Sequence, residues 1–311
     1  MPQDRKARHR LPPAAAILLI SLAALLPLID VLPQNGDEAQ YGWSAAYYWR
    51  RLRRLSFMAT SGPDASLDPE WAPLTYWTVT QPMGARFLYG MAMSITGTSG
   101  PPRPYLYGRA EPQGADTYLS GDALRACRLT AVLCAALGLA LFAARLGWPG
   151  AAAAVLFLLV PGMRPSLASA WAEGPLLLGF GLCAITYRTR WFPITAGITA
   201  TFKLTALPLW ALSWWHPIGH KYSRLMAIAV TVITWSLFTP QSWFGGGPFY
   251  LVPMLAHRII SYVEQTAKYP NEHGIFWPTR YTWPFVLGLC LLITAQAPRA
   301  WRRWHSRQVD T

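Results

Sequence analysis

Asp37 and Glu38 stand side by side in Gly36-Asp37-Glu38-Ala39-Gln40-Tyr41, directly after an apolar run from Ala14 to Leu32. A carboxylate at a membrane surface is positioned to take a proton from an acceptor while a lipid-linked donor lies with its phosphate at headgroup level. The same two residues also suit a helix start, where an acidic cap and first turn complement the helix dipole. In Thr80-Gln81-Pro82-Met83-Gly84-Ala85-Arg86-Phe87 an extended segment stops at Pro82 and turns into an aromatic helix. Arg86 at that helix start is within reach of a phosphate, and is equally the pattern of an interfacial arginine with its head in water. Glu173, in Ala170-Trp171-Ala172-Glu173-Gly174-Pro175, edges an apolar helix, where ionisable groups are rare and often functional. A first-turn Glu before Pro175 is also what helix initiation alone produces. His257 and Arg258 follow the apolar run Leu251 to Ala256, as the polar face of an interfacial helix would. His273 and Glu272 with Asp37 are the side chains that could gather at a divalent metal ion, although no ligand spacing marks them. Gly245-Gly246-Gly247 lacks the Lys-Ser/Thr and the strand–helix context of a phosphate loop, and reads as a turn.

The elements that must position these groups are membrane helices. The chain has 311 residues, of which 53% are apolar and only 13% charged, about half the charged share of a soluble domain. Twenty-seven Lys and Arg against 14 Asp and Glu leave +13, and the apolar runs assign that excess to membrane-flanking loops rather than to nucleic acid. The 16 Trp and 14 Tyr suit the belts at lipid headgroups. A soluble enzyme and a disordered chain are both excluded. Cys127, Cys134, Cys183 and Cys290 all lie inside apolar runs and act as small hydrophobes.

Arg5, Lys6, Arg8 and Arg10 precede the first apolar run, which is longer than a signal-peptide core and has no small-residue cleavage site before Asp37. It is expected to be an uncleaved anchor with a cytoplasmic N-terminus. A first outer loop then covers 34–122, with one amphipathic interfacial helix over 39–58 around Arg50, Arg51, Arg53 and Arg54, and a second over 83–96. Further apolar segments fall at 124–144, 149–165, 170–187, 191–214, 223–240 and 281–297, and a second outer loop at 241–282. Arg145, Arg188 with Arg190, Lys221 with Arg224, and Arg299 with Arg302 and Arg303 should all be cytoplasmic. Segment 191–214 lies between two of these clusters, so it must return to the side it left. It is expected to form a hairpin of two short helices with its tip near Phe202 to Thr205 and Lys203 at that tip. The fold class is therefore an all-α polytopic membrane protein of about eight crossings, two of them short, forming one integral unit over 1–311 with both termini cytoplasmic.

With this topology the motifs resemble those of the polyprenyl-phosphate-sugar-dependent membrane glycosyltransferases of the C-type fold, the superfamily of the protein O-mannosyltransferases and the aminoarabinose transferases of lipid A. The resemblance rests on the acidic pair outside the first span and the turn opening a second surface helix. It extends to Leu124-Arg125-Ala126-Cys127-Arg128-Leu129-Thr130-Ala131, to Gly197-Ile198-Thr199-Ala200-Thr201-Phe202-Lys203, and to the aromatic stretch His273 to Pro284. Gln81 stands where many members carry a basic residue, and Met83 replaces the second Pro of the usual pair. The resemblance implies an inverting transfer on the outer side of a bacterial inner membrane, facing the periplasm or exterior. Asp37, supported by Glu38, is then the general base, and Arg86, Lys203, His257, Arg258 and Arg280 are the candidates to hold the donor phosphate. Gln81, Glu173 and His273 are expected near substrate. Its partners would be a polyprenyl-phosphate sugar, a glycan, lipid or protein acceptor, and membrane lipids, with no nucleic acid. A lipid or solute transporter or flippase, and a non-catalytic membrane subunit of the same fold, are the competing readings.

Overall fold

A computed structural model of the chain describes residues 11–53, 83–105, 114–187, 189–203, 206–214, 221–239 and 256. The chain divides into compact units Met1–Arg258 and Ile259–Thr311, and every described residue belongs to the first. All regular structure among the described residues is helical. The helices are α1 (Leu11–Leu25), α2 (Leu28–Val31), α3 (Gly36–Arg53), α4 (Gly84–Ile95), α5 (Gly121–Leu146), α6 (Trp148–Leu159), α7 (Met163–Ala168), α8 (Glu173–Thr186), α9 (Phe192–Phe202), α10 (Pro208–Trp214) and α11 (Lys221–Leu237).

Among the described residues two helical stretches are long and apolar enough to cross a membrane, Leu11–Val31 with 21 residues and Ala115–Leu146 with 32. Along α5 the buried side is made of Ala123, Ala126, Cys127, Ala131, Ala135 and Gly138, while Leu129, Leu133 and Leu137 point outward at helical spacing. Small residues inside let backbones approach closely, and an outward leucine stripe suits hydrocarbon. A Cβ at Gly138 would stand 2.4 Å from the Leu177 carbonyl carbon and oxygen, so α8 can reach α5 only because nothing projects there.

Helix directions follow from which residues meet. Gly174 lies against Ala131, and Gly138 against Leu177 and Leu178, so α5 and α8 run parallel. Cys183 meets Thr199, and Thr186 meets Thr195, so α9 returns antiparallel to α8. Thr231 of α11 then touches both Gly197 of α9 and Ser213 of α10. Residues 16 positions apart on one straight helix would be ~24 Å apart and could not share that neighbour. Segment 191–214 is accordingly a hairpin, as its flanking charges require, with helices of 11 and 7 residues.

Two expectations are revised. The apolar run 149–165 is not one helix: α6 stops at Leu159, because Pro161 cannot donate and Gly162 adopts φ +81°, and α7 starts afresh at Met163. The helix expected from 39 begins at Gly36, since Asn35 caps it, and is described as far as Arg53. The helix expected over 83–96 is α4, Gly84–Ile95. The segment 281–297, the loop 241–282 and the basic N-terminus lie outside the described residues, apart from Ala256.

Candidate functional site

One end of the bundle collects the last residues of α2, α9 and α11 and the first residues of α3, α5 and α8. Its anchor is built from Glu38. Asn35 Oδ1 accepts from the Glu38 N–H at 3.0 Å while Glu38 Oε2 accepts from the Asn35 N–H at 3.4 Å, a reciprocal capping box that fixes where α3 starts. The Glu38 carboxylate then takes a bidentate hold from Arg128 of α5, Nε to Oε1 at 2.8 Å and Nη2 to Oε2 at 2.7 Å, and Oε1 also accepts from the Ala170 N–H at 2.8 Å. Arg128 spends its other donors on the carbonyls of Ile29, Leu32 and Pro33, at 2.7, 2.7 and 3.0 Å. Those carbonyls belong to the end of the first span, so one guanidinium ties that span, α5 and α3 together. Both side chains are buried, at 1% and 0% exposure. With each carboxylate oxygen taken by protein donors, Glu38 is a positioning group rather than a base.

That knot leaves the neighbouring Asp37 exposed in the first turn of α3. Beside it, Tyr105 packs on Gly36 and meets the Tyr118 ring edge-on at 5.6 Å. Burial, then Tyr118, then the Asp37 carboxylate raise the Tyr105 phenol above its usual value. One helical turn after Asp37, the Tyr41 ring lies 5.0 Å from the guanidinium carbon of Arg86, a cation–π contact. Arg86 is 1% exposed and donates Nη1 to the Met83 sulfur at 3.5 Å. One turn further along α4, the buried Tyr89 hydroxyl donates to the Trp171 carbonyl, and Trp171 Nε1 donates to Asn35 Oδ1 at 3.3 Å. Burial pushes the Tyr89 phenol well above its usual range.

The α9 and α8 helices complete the end. Glu173 opens α8, and Lys203, in extended conformation just after α9, reaches it with Nζ 2.5 Å from Oε1. A Cβ at Gly84 would meet Thr201 Oγ1 at 2.4 Å and Phe202 at 2.8 Å, so the start of α4 sits directly on the turn that carries Lys203.

Of the residues singled out in the sequence, Asp37, Glu38, Arg86, Glu173 and Lys203 are brought to this one end. Gln81, His257, Arg258, His273 and Arg280 lie outside the described residues. Among the described residues no group of three His, Cys, Asp or Glu side chains could hold a metal ion, and Glu272 and His273 are not among them. Sequence reasoning missed Arg128, Asn35, Tyr41 and Tyr89 as parts of this end. The capping box Asn35–Glu38 was readable, because Asn followed three residues later by Glu is a helix-start signature. Arg128 was readable as an arginine inside an apolar helix, which must find a carboxylate. Comparison with known proteins finds no family model, no curated protein and no solved structure that matches the chain.

Proposed function

We propose that the chain is an inverting membrane glycosyltransferase that moves a sugar from a polyprenyl-phosphate donor to an acceptor on the outer side of a bacterial inner membrane. The observation that carries the reading is the gathering of Asp37, Arg86, Glu173 and Lys203 at one end of a helical bundle with an apolar exterior. Asp37 accepts the proton of an acceptor hydroxyl or amine as the acceptor heteroatom bonds to the anomeric carbon. The bond from that carbon to the phosphate oxygen breaks, its electron pair leaves with polyprenyl phosphate, and the configuration inverts. The leaving group is already a stable anion, so it needs cations more than a proton donor; Lys203 is partly exposed to meet it, and the buried Arg86 contributes only the field of its charge.

The topology behind this reading has eight crossings with both termini cytoplasmic. Arg145, Arg190 and Arg224 lie at the opposite end of the described bundle, which by the positive-inside rule faces the cytoplasm and turns the Asp37 end outward. The buried charged side chains among the described residues, Glu38, Arg86 and Arg128, all lie toward the Asp37 end, whereas a transport path would place them near the midplane. The test is purified protein in nanodiscs, offered a panel of polyprenyl-phosphate hexoses and pentoses with an acceptor extract. Release of polyprenyl phosphate is expected. No release from any donor would contradict the reading and favour a non-catalytic subunit.

A further inference from the structure

Lys203 is placed to hold an anion, yet its ammonium already holds the Glu173 carboxylate at 2.5 Å. The two groups arrive from different helices, one opening α8 and one following α9. Their side chains keep 14% and 26% exposure, so both remain open to an incoming ligand. The start of α4 packs on Thr201 and Phe202, the two residues that precede Lys203, so a third helix fixes the turn that carries the ammonium. A phosphate approaching this corner meets the Lys203 ammonium and the Glu173 carboxylate together. At Lys203 it meets the repulsion of the Glu173 carboxylate and competes with it for the ammonium, so its affinity is the difference between two charge pairings rather than the strength of one.

We propose that Glu173 is an internal counter-ion that competes with the phosphate of a polyprenyl phosphate, or of its sugar ester, for Lys203. The proposal rests on the reading of Lys203 as a donor-phosphate group and adds its regulation. While no phosphate is bound, Glu173 holds the ammonium in place. When phosphate binds, Glu173 turns toward solvent, and the release of polyprenyl phosphate after transfer is assisted by its return.

The experiment measures equilibrium binding of polyprenyl monophosphate in nanodiscs carrying the full chain, with free inorganic phosphate as a parallel probe. Removing a competing charge at a partly exposed pair should tighten binding of the lipid phosphate by about tenfold in Glu173→Gln. Lys203→Met should lose the binding, and Glu173→Gln with Lys203→Met should bind no better than Lys203→Met alone. Glu173→Asp, which keeps the charge at the helix start but shortens its reach, should show a smaller gain and decides the question if Glu173→Gln does not fold. A folded Glu173→Gln, or failing that Glu173→Asp, that binds no tighter than the unsubstituted chain overturns the proposal. The same ranking with free phosphate, and no preference for the lipid, overturns its lipid part. Transfer activity without the affinity ranking would sink the counter-ion and leave the glycosyltransferase reading standing. The ranking without transfer would do the reverse.

Discussion

Glu38 meets Arg128 through two contacts of 2.8 and 2.7 Å in the interior, whereas Glu173 meets Lys203 through one contact of 2.5 Å where both side chains still touch solvent. In the first pair further lone pairs and donors are taken by four backbone groups, three at the end of the first span and one at Ala170. Such a pair has nothing left to offer a ligand, and its worth lies in what it holds in place. The second pair is partly exposed on both sides, where the first is fully buried. The comparison teaches that the same chemistry, a carboxylate against a cation, is closed to a ligand when fully buried and stays accessible to one when partly exposed.

The largest expected effect comes from cutting the interior pair. Arg128→Ala leaves a buried carboxylate without its counter-charge and takes a donor from three carbonyls, and should lower stability in a detergent unfolding titration by about 3–5 kcal/mol. Arg128→Met combined with Glu38→Met should recover much of that loss, because an apolar pair carries no desolvation penalty. If the single change were as mild as the double, Glu38 would not be the anchor described. Gly138→Val comes next. It forces α8 away from α5 and so disturbs both pairs, at about 1–3 kcal/mol by the same titration.

For the open pair, Glu173→Gln or Lys203→Met should cost no more than ~1 kcal/mol of stability, the range of a partly exposed ion pair. A loss as large as that of Arg128→Ala would make it scaffold and erase the contrast. The smallest effect is expected on α3, where exposed Arg50 donates only to the Ala46 carbonyl at 3.3 Å. Arg50→Ala should stay within about 0.5 kcal/mol, as surface changes do.

Much of this arrangement was legible in the sequence. Periodicity and flanking charge gave the main helices, and parity alone required the return at 191–214 that Thr231 now documents through its contacts with Gly197 and Ser213. Asp37, Glu38, Arg86, Glu173 and Lys203 were all singled out from residue type and place. What spacing could not supply was partnership. Glu38 and Arg128 are 90 positions apart, and Lys203 and Glu173 are 30 apart, so only the packing of small residues between helices decides that they meet. The break after Leu159 was missed because the apolar run continues through Val160, and Pro161 with Gly162 was outweighed by hydropathy.

The proposal that Asp37 is the general base rests on its exposure beside the buried Glu38–Arg128 pair. It is tested most directly by the rate of polyprenyl phosphate release from a turned-over donor in the presence of acceptor, compared between the unsubstituted chain and Asp37→Asn. Asp37 is exposed in the first turn of α3, so the variant should still fold, with stability within about 1 kcal/mol of the unsubstituted chain. Turnover should fall by at least ~10²-fold, the lower range for loss of a general base. Near-normal turnover in a folded Asp37→Asn variant would contradict the assignment and leave this end of the bundle without its proposed base.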